Sequence, residues 1–223
     1  MVSSCEFSVA APWGEMHVLG YFLPPESEEL ETFLVRCRTD RVRRARAMVQ
    51  RLVALGIGIS DDDVLAEADG GALGRPHVAR ALVRKGAAHS LNDAFDRYLG
   101  RNRPAYIEKT LPTFADVAAR VHRVGGVVSA AHLKDRATRS VLTRLQGEGL
   151  DAVETRHPRH DPDARARITD LALELRLART GGSDWHGDST ENETHARIGS
   201  QDVPMAWLDA LAERRPATQG AGR

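Results

Sequence analysis

An α/β fold with a parallel sheet is the class this sequence predicts, and three observations predict it. From Thr113 to Thr180 the chain alternates helical and strand-like segments, a βαβαβ rhythm that implies parallel pairing. The ends of three successive strands in that run carry His132, then His157 and His160, then Asp184 and His186. Parallel sheets collect their functional side chains at such ends. Between two N-terminal strand-like stretches and this run lies a helix-patterned segment, residues 26–110, without strand patterning.

The first strand reads as Ser4–Ala10 and the second as Met16–Leu23, with Pro12 and Gly14 in the connection. Glu6 and His17 are therefore candidates for one rim of a sheet. After Pro24-Pro25 the spacing of Leu30, Phe33, Leu34, Cys37, Val42, Ala45, Met48, Val49, Leu52 and Leu55 predicts one long helix or two over 27–55. Its polar side carries Arg36, Arg38, Arg41, Arg43, Arg44 and Arg46, a run that reads as a solvated face. Ser60 caps a short acidic helix start. Gly74-Arg75-Pro76-His77 begins another helix, with proline where its missing N–H costs nothing. Arg75 and His77 flank that N-terminus, an arrangement suited to phosphate or carboxylate. Ser90 caps a helix through Tyr98, and Arg101 and Arg103 follow in a loop.

Helices over 113–124, 138–147 and 162–176 then alternate with strands at 127–131, 152–155 and 178–180. The last strand runs into Gly182-Ser183-Asp184-Trp185-His186. In extended backbone, side chains two positions apart share a face, so Asp184 and His186 can meet on one cation, and carboxylate with imidazole suits Mn, Fe or Zn. Pro204 starts a final helix, and 213–223 lacks apolar periodicity and reads as a disordered tail.

Composition narrows the class further. With 223 residues and 42% hydrophobic content, the chain can bury one core with an embellishment. Lys+Arg and Asp+Glu both number 31, so no overall charge draws it to nucleic acid or membrane. Cys5 and Cys37 form no CxxC pair, which excludes a disulfide framework and a cysteine zinc site and fits a cytoplasmic location. No apolar run approaches the ~20 residues of a membrane span, and the N-terminus lacks the basic start of a signal peptide.

The stretches Cys5-Glu6-Phe7-Ser8, His17-Val18-Leu19-Gly20, Gly74-Arg75-Pro76-His77-Val78-Ala79, Tyr98-Leu99-Gly100, Arg103-Pro104-Ala105-Tyr106, Ala131-His132 and Gly182-Ser183-Asp184-Trp185-His186 resemble the PHP (polymerase and histidinol phosphatase) family in its TrpH-like phosphoesterase branch. The resemblance implies a distorted (β/α)7 barrel holding two or three divalent metals, usually Mn2+, with Zn2+ or Fe2+ as alternatives. Its implied ligands are Glu6, His17, His132, Asp184 and His186. Arg75, His77, Arg101, Arg103 and His160 would line the substrate phosphate site. The implied reaction is hydrolysis of phosphate esters of nucleotides or short 5′-phosphorylated RNA, with no membrane and no stable protein partner. The barrel would comprise 1–25 and 111–212, and 26–110 would be a helical insert forming a lid.

The chain departs from the family pattern at Ser4, where Gly is usual, at Leu133 after His132, where Pro is usual, and above all in its N-terminal part. It has no His-x-His, nor the strand ending in Asp-His, so it reads as N-terminally truncated by two βα units. The expectation is an open barrel and a weak or inactive enzyme. The alternative is a non-catalytic remnant that binds nucleotide or a protein partner.

Overall fold

The computed structural model describes residues 2–68, 73–185 and 197–216. The chain divides into two compact units, one made of Met1–Ser27 with Leu111–Arg223 and the other of Glu28–Thr110.

The first unit is built on a five-stranded sheet: β1 Ser4–Ala11, β2 Gly14–Tyr21, β3 Val127–Ala130, β4 Ala152–Arg156 and β5 Ala178–Gly181, in that spatial order. The β3–β4 and β4–β5 pairs are parallel, as the helix–strand rhythm predicts. The β1–β2 and β2–β3 pairs are antiparallel, so the sheet is mixed. β1 and β2 form a hairpin through Pro12-Trp13, and Gly14 leaves the turn at φ +117°, a conformation open to glycine. Among the described residues the sheet is one open row of five strands rather than seven closed into a barrel.

Strand alternation gives the sheet two unlike faces. Phe7, Val9, Met16, Val18, Val128, Ala130 and Val153 are buried on one. The register places Ser8 beside His17, Leu19 beside both Glu6 and Ser129, and Glu154 beside Thr180 on the other. A slip of one residue would exchange the two sets, so burial of the apolar set fixes where the polar set points. The polar face is itself divided. Toward the start of the parallel strands, Val127, Ala152 and Ala178 pack on Leu211 of α8, Met205–Ala212. Toward their C-terminal ends the same face carries Ser129, Glu154 and Thr180.

Helices cover the apolar side. α5, Phe114–Arg123, is capped by the Thr113 hydroxyl and buries Phe114, Val117, Ala118 and Val121. Gly126 returns the chain so tightly that an added Cβ would lie 2.8 Å from the Tyr21 carbonyl and 2.9 Å from Val121. α6, Arg139–Gly147, and α7, Pro162–Glu174, complete the two crossovers, capped by Thr138 and Asp161. α7 ends two residues before the sequence pattern suggests.

The second unit is helical. α1 is a single helix, Glu28–Ala54, followed by α2 Asp61–Ala66, α3 Arg75–Arg84 and α4 Leu91–Ala94. The chain continues from α4 as a π-helical turn, Phe95–Leu99, where Gly100 N–H bonds the Phe95 carbonyl at 2.7 Å. Met48, Leu52, Val78, Leu82 and Leu99 form its core. The arginine run corrects one expectation. Arg44 is 4% exposed rather than solvated, and it donates to the carbonyls of Ile107 and Glu108 at 3.0 and 3.2 Å. The side chain closes the far end of the unit onto α1. Cys5 and Cys37 are not disulfide-bonded, and no described helix is long and apolar enough to cross a membrane.

Candidate metal centre

Glu6 on β1, His17 on β2 and His132 just beyond β3 converge. His17 Nδ1 lies 2.8 Å from Glu6 Oε1 and 3.2 Å from His132 Nε2, and His132 Nε2 lies 3.5 Å from Glu6 Oε1. Donors bound to one ion at ~2.1 Å stand roughly 3.0–3.5 Å apart, so this triangle has the dimensions of one face of a coordination shell. Among the described residues, these three form the single group of His, Cys, Asp and Glu side chains close enough to share an ion. Glu15 Oε1 sits 3.5 Å from His17 Nε2. A carboxylate on the far nitrogen of an imidazole is the usual arrangement for orienting a metal-binding histidine.

Without a cation, the cluster is held by protons. Glu15 and then Glu6 raise His17 to about 9, so the ring is protonated at neutral pH. Bonds from His132 and His17 hold Glu6 well below the usual carboxylate range. A carboxylate with two imidazoles in this state is a preformed site in which protons occupy positions a cation can take.

The row of rings continues inward. His132 and His157 have centroids 5.3 Å apart, and His157 and His160 have theirs 5.4 Å apart. His157 Nδ1 accepts the Arg159 N–H at 3.1 Å, which places the proton of the neutral ring on Nε2, 3.5 Å from Asp184 Oδ2. Burial, with the neighbouring His132, lowers His157 to about 4 and keeps it neutral. His157 thus lies between Asp184 and the cluster, its Nε2 buried without a hydrogen-bond partner. His132 and Asp184 both adopt left-handed backbone, φ +32° and +51°, uncommon for residues with a side chain and frequent at functional sites. His186, the second residue of the Asp-x-His pair, lies outside the described residues.

Relatives point the same way. No family model matches the chain. It is 27% identical over 191 residues to the 5′-3′ exoribonuclease Rnm of Salmonella typhimurium, covering 83% of this chain and 65% of that protein. It is 28% identical over 186 residues to the 3′,5′-nucleoside bisphosphate phosphatase of Chromobacterium violaceum, covering 80% and 65%. The chain thus spans 65% of the length of these curated relatives. Among solved structures, an amidohydrolase from Chromobacterium violaceum with bound sulfate superposes with a TM-score of 0.75 at 25% identity, covering 97% of this chain and 78% of the other. A Bifidobacterium adolescentis protein named for metal-dependent phosphoesterase activity superposes with a TM-score of 0.78 at 30% identity, covering 97% and 77%. The chain belongs to the PHP family.

For a PHP-family chain, the remaining candidates are placed as follows. His160 is 3% exposed, and its Nδ1 donates to the Thr155 carbonyl at 3.2 Å. A carbonyl only accepts, so Nε2 keeps a bare lone pair, buried without a partner. In this state His160 offers a lone pair, not a donor, to a phosphate oxygen. Arg75, His77, Arg101 and Arg103 belong to the helical unit. The Arg75 guanidinium stacks over Phe95 and Tyr106, 5.8 and 5.5 Å from their ring centres. His77 Nδ1 accepts the Gly74 N–H at 3.0 Å, and burial with nearby Arg80 lowers its pKa. Arg101 and Arg103 are exposed after the π-helical turn.

Sequence reasoning missed two features. An open cavity of about 470 Å³ beside His17 and His132 is lined by Lys134, Arg136 and Arg159, with Arg136 5.2 Å over the Trp13 ring. The spacing of these cations gives no periodic signal; loops join them only in the fold. The other is Glu154, buried on β4 and raised to about 8 by burial, with the charges of Asp184 and Glu6 adding to the effect. The signal available was a lone acid inside an otherwise buried strand, Ala152-Val153-Glu154-Thr155.

Proposed function

We propose that the chain is a metal-dependent phosphoesterase acting on phosphate esters of nucleotides or short 5′-phosphorylated RNA, with Mn2+ as the preferred ion. The observation that carries this reading is the triangle of Glu6 Oε1, His17 Nδ1 and His132 Nε2, with edges of 2.8–3.5 Å. Asp184 and His186 complete the proposed ligand set. A divalent ion held there supplies Lewis-acid stabilisation of phosphoryl charge and lowers the pKa of water. Glu15 Oε1 lies 3.5 Å from His17 Nε2 and takes that side of the ring, so Nδ1 faces the site. His157 Nε2 lies 3.5 Å from Asp184 Oδ2, buried between that carboxylate and the cluster. Lys134, Arg136 and Arg159 neutralise the phosphate of an ester entering the adjoining cavity, arginine by paired N–H donors. His17 and His132 line the same cavity.

The neighbours' names support the class of reaction: an exoribonuclease, a nucleoside bisphosphate phosphatase and a metal-dependent phosphoesterase. The test is Mn2+ and Zn2+ titration of the purified chain, followed by phosphate release from a nucleoside 3′,5′-bisphosphate with and without EDTA. At least one tightly held ion per chain and EDTA-sensitive release are expected. Affinity no tighter than that of a Glu6→Gln variant would overturn the assignment.

A further inference from the structure

The polar face of the sheet holds a carboxyl that the proposed chemistry leaves unused. Glu154 is 4% exposed in the middle of β4. Its Oε2 accepts the backbone N–H of His132 at 2.8 Å. Its Oε1 lies over Gly182, 3.7 Å from where a Cβ would stand, on the segment leading to Asp184. Burying a carboxyl is costly unless its oxygens find donors. The donor found here is the peptide of a candidate ligand, and that peptide is in an unusual conformation, with φ +32° at His132.

β3 ends at Ala130, and the chain must turn sharply for the His132 ring to reach Glu6 and His17. Extended backbone at 132 would carry the imidazole away from them, since φ sets the direction of the Cα–Cβ bond relative to the incoming chain. Something must hold the left-handed turn. The bond to Glu154 is an inter-strand anchor at that point: β3 and β4 are neighbours, and the carboxyl reaches past the last ladder pair, Ala130 with Val153.

We propose that Glu154 is the positioning residue of the metal centre, its carboxyl capturing the His132 N–H and so aiming the imidazole at Glu6 and His17. This rests on reading His132 as a ligand. Glu154 acts through the peptide and need not touch the ion.

The experiment measures two things in the full chain: amide hydrogen exchange at His132 without metal, and Mn2+ affinity. Glu154→Ala should speed exchange at His132 at least tenfold and weaken Mn2+ binding about 10- to 100-fold, the range for lost support of a ligand. Glu154→Gln keeps an acceptor oxygen and should restore both to within about threefold. Glu154→Asp keeps the carboxyl but withdraws the oxygen by one methylene, and should behave like Glu154→Ala; it also serves if the alanine variant does not fold. Unchanged exchange at His132 in both Glu154→Ala and Glu154→Asp would overturn the proposal. So would Glu154→Gln binding Mn2+ as poorly as Glu154→Ala while keeping His132 protected, because the carboxyl would then act on the ion directly and not through the peptide. If exchange responds as stated but the unmodified chain binds no Mn2+, Glu154 still anchors the His132 peptide, while the metal centre and the phosphoesterase reading fail.

Discussion

The cluster around Glu6 and the surroundings of Arg75 are both rich in charged and imidazole groups, yet they use them differently. In the helical unit several polar side chains are committed to the fold. Arg75 is stacked on two rings, His77 binds the Gly74 N–H, Arg44 holds two carbonyls, and Asp63 closes a capping box with Ser60. At the sheet edge, Glu6, His17 and His132 are held mainly by one another, and the same donor atoms face a common point. The difference separates groups bound into the packing of a chain from groups whose donor atoms are left facing one another. Motif matching alone gave both regions equal standing.

The largest expected effects come from breaking the second kind. Glu6→Gln, His17→Ala and His132→Ala should each lower divalent-ion affinity on the order of 100-fold, more than loss of an outer partner does. Circular dichroism should remain unchanged, since the triangle sits at the sheet edge and not in its core. If one variant bound the ion normally while unfolding the sheet, that residue would move to the structural class.

A pH series sharpens the same point. His17 is raised to about 9 by Glu15 and Glu6, and binding must displace its proton. Mn2+ affinity should therefore rise about tenfold per pH unit from pH 6.5 toward 9, then level off. In the metal-free chain the sign reverses. A raised histidine stabilises fully below its ordinary value, and this contribution fades as pH rises through about 9. The lowered Glu6 contributes from its ordinary value upward and is lost only in strong acid. Tm of the metal-free chain should fall between pH 6.5 and 9, and His17→Gln should flatten that slope.

Smaller effects are expected in the helical unit. Arg75→Ala removes two guanidinium–ring contacts and should cost about 1–2 kcal/mol of stability by urea unfolding, with Mn2+ affinity unchanged. A raised KM for a nucleotide ester with Tm unaltered would instead place Arg75 among the ligand-binding groups and break the comparison. Smallest of all, Ser60→Ala should cost about 1 kcal/mol through the lost cap and leave ion binding untouched.

Much of the fold was legible because it rests on local patterns. Helix caps at Ser60, Thr113, Thr138 and Asp161 and the apolar runs of β3 to β5 mark their own boundaries. Glu6, His17 and His132 were legible as strand-end residues together with their family match, and the structure brings them within bonding distance. Glu154 was not, because its partner is a backbone N–H 22 residues away, and no side-chain motif records such a bond. Arg44 was misjudged because helical spacing cannot show which arginine of a run meets a chain end returning from residue 108. The mixed sheet follows from the Pro12-Trp13 hairpin, and hydrophobic periodicity carries no sign of strand direction.

The left-handed backbone at His132 and Asp184 sets durability against use. Each conformation costs a residue with a side chain about 1 kcal/mol or more, and glycine would relieve it. A chain selected only for resistance to heat would gain by erasing the imidazole and the carboxylate proposed as ligands. In a library screened for thermostability alone, glycine and asparagine should accumulate at positions 132 and 184, and ion binding should decline among the survivors. Two strained residues at the strand ends are thus ones the fold alone would do better without.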